Sequence, residues 1–415
     1  MLVSVAAGIL SCGHDDVPEE DPIAECTVLI YMAAENNLSS FATNDLKEMK
    51  KASLSLSNNQ KLIVYVDQAD TIPPFFARIK DGQFVDSISV EESLTADPAV
   101  LESALRYMRT NYPSQSYGLV LWGHASGWLI SNDSVVYNKS RAYGGDSGNN
   151  SSSLSVKYWM NIPSMAKAIA NGMGQTRLKF IMGDCCNFGC VEVAYELRKL
   201  TDYLIGSPAE VPDEGAPFDL VIPQMYSKSE DFYKGIINQY YQYYKEAFID
   251  KPKRYKNTSD GDLQGYSVPL VAVKTAELDG LATATAQLCQ TIHDQLTPTG
   301  DLDFTNKLYY AMNGSYRYSY DMYNMLKYHA PSTAFSNWTT AFWKAVPYRV
   351  TSNRWLTGNY QLGTDMLSFN EEDSNCGVLS MFFPRTIYKN TNPNWNNSIK
   401  KFQWNNVIHW EDYEW

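Results

Sequence analysis

Two stretches of sequence decide the fold: residues 117–124 read YGLVLWGH, and residues 178–186 read LKFIMGDCC. Each is a continuous apolar run, which predicts a strand buried on both faces, as in a parallel sheet. Each run ends in residues that carry chemistry, namely His124 in the first, and Asp184 with a pair of cysteines in the second. Because parallel strands open on the same edge of a sheet, where ligands bind, we expect these side chains to meet in one cleft.

Similar apolar runs alternate with helical patterns from Cys26 onward, which predicts an α/β fold with a mostly parallel central sheet. The candidate strands are 27–33, 61–66, 117–122, 178–182, 203–206, 268–274 and 377–383. A Pro in the first turn and a Gly stop predict a helix over 163–170, which would connect the two decisive strands. Residues 131–156 are rich in Ser, Asn and Gly, which predicts a long exposed loop.

Beyond about residue 279 the sequence becomes aromatic, and we predict helices over 281–296, 301–329 and 336–346. This divides the chain into an N-terminal segment at 1–25, a main domain at 26–278 and an appended helical region at 279–415. The last part is crowded with tryptophans, at Trp395, Trp404, Trp410 and Trp415. Such residues serve as sugar-binding platforms or as core anchors, and the sequence leaves both readings open.

The charge balance bounds the possible partners. The 415 residues include 34 Lys and Arg against 46 Asp and Glu, a formal net charge of −12. Without a basic stripe this argues against nucleic acid as a partner and favours a basic ligand or substrate. Hydrophobic residues make up 44% of the chain, which is typical of a globular protein. We expect the protein to be a monomer. No segment approaches the ~20 apolar residues of a membrane span.

The N-terminal segment predicts export. Residues 1–11 are apolar or small and lead into Ile9-Leu10-Ser11-Cys12, which an acidic run follows. This block resembles a bacterial lipobox, in which the Cys becomes the lipidated first residue and the acidic run serves as a tether. We therefore expect Cys12 to anchor the protein to the outer membrane of a bacterial cell envelope. The alternative is an unstructured N-terminus with no role in export.

Cys186 and His124 together would supply a nucleophile and a base. A thiolate is a strong nucleophile, and its pKa falls beside an imidazolium or a helix N-terminus, both of which we expect near Cys186. His124 would also protonate the leaving amine, while the backbone N–H groups of Ala125 and Cys186 would hold the oxyanion. Asp184, two residues before the thiol, would point into the same cleft and favour a cationic side chain.

The seven cysteines predict neither a disulfide framework nor a metal site. Their spacing contains no CxxC pair. Cys185, Cys186 and Cys190 with His124 have poor spacing for zinc, because neighbouring thiols on a strand face opposite ways. The dyad itself requires no cofactor.

Three blocks carry a resemblance to a known family: 31–38 (YMAAENNL), 120–128 (VLWGHASGW), and 184–186 (DCC) followed by 191–197 (VEVAYEL). Over residues 26 to about 225 the chain resembles the clostripain family of cysteine peptidases, in the clan of caspases, legumains and gingipains. In that family the catalytic Cys lies two residues after the Asp and six before the Glu of the helix block, which selects Cys186 rather than Cys185. The resemblance implies a caspase-like α/β/α sandwich with His124 as the base. Asp184 then lines a pocket that prefers Arg or Lys before the cleaved bond.

The resemblance has further implications for the loops. It implies self-cleavage in the 131–156 loop, for which Lys139 and Arg141 are candidates. The block at 210–215 looks like the family's acidic Pro-Gly loop, so that Asp213 and Glu214 complete the substrate pocket.

Two positions depart from the family's pattern. Glu214 stands where an Asp is more usual, and its longer side chain would alter the depth of the pocket. Ala125 replaces the usual Gly and adds a methyl group beside the oxyanion site.

Some members of the family depend on calcium. Asp260 and Asp262 are candidate ligands, but the sequence favours an exposed Asp-Gly-Asp turn over a calcium site.

These observations predict an exported cysteine endopeptidase that cleaves after Arg or Lys in proteins or peptides. The alternative is a catalytically weak surface protein that keeps the peptidase fold. Such a protein would bind a glycan or a protein partner through its aromatic C-terminal half.

Overall fold

The computed structural model describes residues 23–69, 73–130, 142–148, 158–250, 266–296, 301–357 and 375–413. The strands are β1 (Ala24–Ala34), β2 (Gln60–Gln68), β3 (Phe75–Lys80), β4 (Gln83–Ser89), β5 (Ser114–Trp122), β6 (Tyr143–Asp146), β7 (Tyr158–Met160), β8 (Leu178–Asp184), β9 (Thr201–Gly206), β10 (Leu270–Lys274), β11 (Tyr309–Asn313), β12 (Tyr316–Asp321), β13 (Tyr348–Val350) and β14 (Ser380–Met381). The helices are α1 (Ser39–Ser53), α2 (Pro98–Asn111), α3 (Ile162–Met173), α4 (Val191–Leu197), α5 (Phe218–Met225), α6 (Phe232–Asp250), α7 (Leu278–Gln295), α8 (Met322–His329), α9 (Ser332–Ala345), α10 (Tyr388–Thr391), α11 (Pro393–Ser398) and α12 (Asn405–Ile408). None of the helices in these ranges is both long and apolar enough to cross a membrane.

Within the described ranges, nine strands form one central sheet in the order β13-β10-β9-β8-β5-β1-β2-β3-β4. The five inner strands are parallel, and antiparallel strands complete both edges. β5 and β8 are neighbours, with α3 in the connection between them. The predicted sheet and crossover helix are therefore confirmed.

Both faces of the sheet are covered, as the continuous apolar runs predict. Leu29 and Tyr31 of β1 pack into a core that includes α2, α3, α4 and α7. Val28 and Ile30, which alternate with them, pack into a second core with α1, α5 and α6. The result is an α/β/α sandwich, the predicted fold class.

The C-terminal region differs from the prediction in one stretch. Residues 301–329 are not one helical segment, because β11 and β12 form an antiparallel hairpin there and only α8 is helical. Gly314 turns the hairpin at a φ of 57°, and Asp321 caps α8 by accepting a hydrogen bond from the Asn324 N–H. Tyr316, Tyr318 and Tyr320 of β12 recur at every second position, which is a strand pattern.

Two other predictions need correction. The predicted strand at 377–383 reduces to β14, which joins β11 and β12 in a small sheet instead of the central one. The predicted exposed loop at 131–156 contains β6, which is buried because it pairs with β7 and bridges to Ala125.

The late tryptophans are core residues. Trp395, Trp404 and Trp410 are only 5%, 0% and 1% exposed and pack into the core that contains α4 and α7. Trp415 lies outside the described residues. These three rings therefore offer no exposed platform for a sugar, and the aromatic richness of this region reflects packing.

Asp321 holds the C-terminal region together. The side chain is fully buried, and one oxygen accepts hydrogen bonds from the Tyr310 hydroxyl at 2.7 Å and the Val378 N–H at 2.9 Å. The other oxygen accepts from the Asn324 N–H at 2.8 Å. A buried carboxylate is stabilised by several such donors, so this one residue fixes three segments of chain.

Replacing Asp321 with Asn should lower the free energy of unfolding by about 2–3 kcal/mol, because the amide turns N–H groups toward backbone donors. Urea unfolding at pH 7 measures this loss. Asp202→Asn is the control: Asp202 is half-exposed and pairs with Arg177, so its loss should cost less than about 1 kcal/mol. Equal losses in the two variants would contradict the role given to Asp321.

Candidate active site

Parallel pairing of β5 with β8 brings the chemistry-bearing residues together. Trp122 is in register with Asp184, and the Gly123 N–H donates to the Asp184 carbonyl at 3.3 Å. His124 and Cys186 each lie two residues beyond this pair. His124, Asp184, Cys186 and Asp213 consequently line one cleft at the carboxyl edge of the sheet.

His124 is half-buried at the mouth of this cleft, and the side chain of Asn37 orients it. The His124 Nε2 lies 2.8 Å from the Asn37 Oδ1, and the Trp159 ring lies 6.3 Å away between centroids. Sequence reasoning missed Asn37 as a partner of the histidine. The feature that could have identified Asn37 is its position just beyond the end of β1, at the same sheet edge as His124.

Cys186 is buried against the 210–215 loop. Its side chain is 8% exposed, and the Val211 N–H donates to the Sγ at 3.4 Å. Burial, and then the negative charges of Glu210 and Asp213, raise the pKa of the thiol. The expectation of a lowered thiol pKa is therefore wrong for this conformation. The next helix along the chain, α4, begins five residues later at Val191, so Cys186 is not in its first turn.

Two backbone N–H groups near the cleft have no acceptor among the described residues. Among the described residues, neither the Ala125 N–H nor the Cys186 N–H donates a hydrogen bond. Ala125 bridges to Tyr143 through the bonds of its neighbours: the Ser126 N–H donates to Ala142 and the Gly144 N–H to His124. Ala125 is absent from the positive-φ positions, so its methyl group brings no backbone strain.

Asp184 forms the floor of the cleft and is 3% exposed. Its Oδ1 accepts a hydrogen bond from the Tyr240 hydroxyl at 2.8 Å, and its Oδ2 accepts one from the Ala216 N–H at 3.0 Å. Burial raises the pKa of Asp184 to about 6, against the opposing effect of these two donors. Gly215 makes this approach possible: its φ is 65°, and a Cβ there would lie 2.7 Å from the Asp184 Oδ2.

The two acids of the 210–215 loop face different spaces. Asp213 lines the cleft with Cys186, and burial raises its pKa. Glu214 instead lines an adjoining cavity of about 340 Å³ together with Asp45 and Glu48 of α1. Sequence reasoning missed the latter pair, which lies three residues apart on one face of a helix.

Asp45 and Glu48 add two carboxyl groups to the cavity beside the cleft. Burial, and then the charge of Asp184, raise the pKa of Asp45 to about 9, while its Oδ2 accepts a hydrogen bond from the Trp122 Nε1 at 2.6 Å. Burial raises the pKa of Glu48 to about 6. No sequence signal separates this pair from an ordinary solvated helix face.

The cleft is narrow in this conformation. Its free space is about 20 Å³, room for about one water molecule. A long side chain does not fit into this space unless the residues that line it move.

The adjacent thiol, Cys185, does not line this cleft. Cys185 packs into the core opposite to that of Cys186, so the two thiols do face opposite ways, and the six described cysteines are all free. Cys12, Lys139, Arg141, Asp260 and Asp262 lie outside the described residues.

A parallel α/β/α sandwich with a cysteine and a histidine at one strand edge defines a class of cysteine peptidases. The chain belongs to the clostripain family, Peptidase_C11, whose model matches residues 30–415. It is therefore a cysteine peptidase, and its substrates are proteins or peptides. A search of curated proteins found no match.

Solved structures agree with this assignment. A secreted C11 cysteine protease from Bacteroides thetaiotaomicron, in complex with an irreversible peptide inhibitor, is 25% identical, with a TM-score of 0.74 over 94% of this chain and 100% of that one. An inactive zymogen C11 protease from Parabacteroides distasonis is 24% identical, with a TM-score of 0.70 over 94% and 99%, and supports the fold alone. A cysteine protease from B. fragilis is 27% identical, with a TM-score of 0.50 over 62% and 96%.

Replacing Glu210 with Gln should speed alkylation of Cys186 by iodoacetamide at pH 8 by about threefold. A fall of about one unit in the thiol pKa gives about ten times more thiolate, partly offset by lower nucleophilicity. Mass spectrometry of the Cys186 peptide over time measures the rate.

Glu214→Gln is the matched control, since Glu214 is not one of the charges with the largest effects on the pKa of Cys186. Equal acceleration in both variants would indicate general opening of the loop and contradict a specific effect of the Glu210 charge.

Proposed function

We propose that this protein is an exported cysteine endopeptidase that cleaves peptide bonds after Arg or Lys, with Cys186 as the nucleophile and His124 as the base. The observation that carries the proposal is the cleft that joins this cysteine and histidine to the buried carboxylate of Asp184. The family supplies the reaction class, and the acids of the cleft supply the specificity.

Catalysis would follow the usual course for a thiol nucleophile. The Cys186 sulfur attacks the carbonyl carbon, and the negative oxygen that forms accepts hydrogen bonds from the Ala125 and Cys186 N–H groups. His124 takes the thiol proton and gives it to the leaving amine, which releases the first product. Water, deprotonated by His124, then hydrolyses the thioester and restores the thiol.

The preference for a basic side chain follows from the carboxylates that line the cleft. With a pKa of about 6, Asp184 is ionised at neutral pH, and its two donors, Tyr240 and Ala216, are neutral. Asp213 adds a second carboxyl group in the same cleft, and Glu214 a third in the adjoining cavity. A guanidinium or ammonium group would offset this charge, whereas an acidic side chain would be repelled.

The same charges connect substrate binding to the reactivity of the thiol. Asp213 and Asp184 both contribute to the raised pKa of Cys186. A cationic side chain beside them would cancel part of this effect and lower the thiol pKa. The thiol would therefore become more reactive when the preferred substrate is bound.

Self-processing and export complete the proposal. Lys139 or Arg141 would be cleaved by the chain's own Cys186, in the connection between Ile130 and Ala142. Export is supported by the description of the B. thetaiotaomicron protease as secreted. The lipobox-like Cys12 would provide the anchor in the bacterial outer membrane.

Cys186→Ala should abolish turnover of fluorogenic peptides that end in Arg or Lys, a loss of at least about 10⁴-fold in kcat, because no other cysteine among the described residues lines the cleft. The variant should also keep its intact mass, whereas the wild-type chain should split after Lys139 or Arg141. Matched peptides ending in Leu or Asp should not be hydrolysed by either protein.

Cys185→Ala is the control, because this adjacent thiol is buried in the opposite core. Retained turnover in Cys186→Ala would contradict the proposal, and so would an equal loss in Cys185→Ala with the fold intact.

Tyr240→Phe should move the acid limb of the pH profile upward. The profile of kcat/KM reports the free enzyme, and Asp184 must be ionised to bind a basic side chain. The Tyr240 hydroxyl lowers the pKa of Asp184, so its removal raises that pKa. If the increase is about one unit, kcat/KM for an Arg peptide falls about fivefold at pH 6 and stays unchanged at pH 8.5.

Tyr244→Phe is the matched control, one helical turn away, because its hydroxyl donates to the Gly215 carbonyl instead. The same shift in both variants, or none in Tyr240→Phe, would show that Asp184 does not control this limb.

A further inference from the structure

A second group of acids lies outside the cleft. Glu35, Asp67 and Asp146 each place a carboxylate oxygen within 4.8 Å of the other two. Their side chains are only 1%, 1% and 0% exposed. Three like charges this close in a buried site repel one another unless a cation or protons intervene.

Asp67 indicates that a ligand belongs there. Within the described part of the chain, neither of its carboxylate oxygens accepts a hydrogen bond. Buried polar groups in proteins are nearly always paired, and an unpaired carboxylate is especially costly. Both oxygens of Asp67 are thus available to a group that the described part of the chain does not supply.

Hydrogen bonds fix the orientation of the Asp146 carboxylate, as is usual for a metal-binding carboxylate. The Thr95 N–H and hydroxyl donate to its Oδ2 at 2.7 and 2.8 Å, and the Gly148 N–H donates to its Oδ1 at 2.7 Å. Such outer hydrogen bonds fix the orientation of metal-binding carboxylates and favour their charged form. The buried Ser147 hydroxyl, which has no partner among the described residues, is a further oxygen beside them.

We propose that Glu35, Asp67 and Asp146 form a binding site for one Ca²⁺ ion. The donors are all carboxylate oxygens, which suit a hard cation and not zinc or copper. Two ligands of one Ca²⁺ can lie up to about 5.2 Å apart, which accommodates carboxylate oxygens that all lie within 4.8 Å of one another, whereas Mg²⁺ demands a tighter octahedron and gives up its water reluctantly. The site goes beyond the proposed function and does not depend on it.

The ion would fasten the loop after β1 to β6. The Ser147 N–H donates to the Glu35 carbonyl at 2.9 Å, and the Asn36 Nδ2 donates to the Gly145 carbonyl at 2.6 Å. Asn37, the next residue, contacts His124. The cation site therefore lies two residues from the side chain that orients the histidine, and its effect on catalysis rests on the proposed function.

Binding can be measured without turnover. The full chain carrying Cys186→Ala, which would prevent self-cleavage, is stripped with EDTA and titrated with CaCl₂. We expect Ca²⁺ to raise Tm by about 5 °C at saturation. Tb³⁺ should bind in its place and luminesce on excitation of nearby tyrosines, since Tyr65 is on the same face of β2 as Asp67 and stacks on Tyr31. Added Ca²⁺ should displace this signal, and Mg²⁺ should not.

Asp67→Asn in the same background should weaken Ca²⁺ binding at least about 100-fold and remove the rise in Tm. Glu35→Gln repeats the test with a second ligand. Asp45→Asn is the matched control, because it neutralises another buried Asp outside the cluster and should leave the Ca²⁺ response intact. An unchanged Tm and no Tb³⁺ luminescence in the parent would overturn the proposal, as would an undiminished response in Asp67→Asn.

Discussion

The parallel register between β5 and β8 is the constraint on which the rest depends. It sets Trp122, the last residue of β5, opposite Asp184, the last residue of β8. His124 and Cys186, each two residues further along the chain, therefore meet at one edge of the sheet. A shift of one residue would turn every side chain of a strand to the opposite face. Cys186 would then exchange places with Cys185, which now packs into the other core. The register is held by apolar side chains buried on both faces, so the position of the site follows directly from the core.

Around that edge the protein concentrates negative charge. Asp184 and Asp213 line the cleft, and Glu214 and Glu48 line the adjoining cavity, whereas a pKa of about 9 keeps the neighbouring Asp45 protonated at neutral pH. In the proposed function this charge attracts a basic side chain. Asp184 and Asp213 also add to the effects of burial and of Glu210, which raise the pKa of the Cys186 thiol. Two of the carboxylates that would select the substrate therefore also restrain the thiol.

Much of this could be predicted from sequence, because the strands that carry the site are long apolar runs and the family motifs follow them. The hairpin of β3 and β4 could have been predicted from the Asp81-Gly82 pair, both at positive φ, which is a strong turn signal. The contact of Asn37 with His124, the acids of α1 and the cluster around Asp67 could not, because each joins residues far apart in sequence. The raised pKa of Cys186 depends on burial by the 210–215 loop, which no local pattern encodes.

The most direct test of the account is to map the adduct formed with an arginyl chloromethylketone, alongside a norleucyl reagent of similar length but no charge. We expect tandem mass spectrometry to find the arginyl group on Cys186 alone, at a rate at least about 100-fold above that of the norleucyl reagent. Labelling at another cysteine, or equal rates for the two reagents, would contradict the assignment of Cys186 as the nucleophile of an acidic, base-selecting cleft.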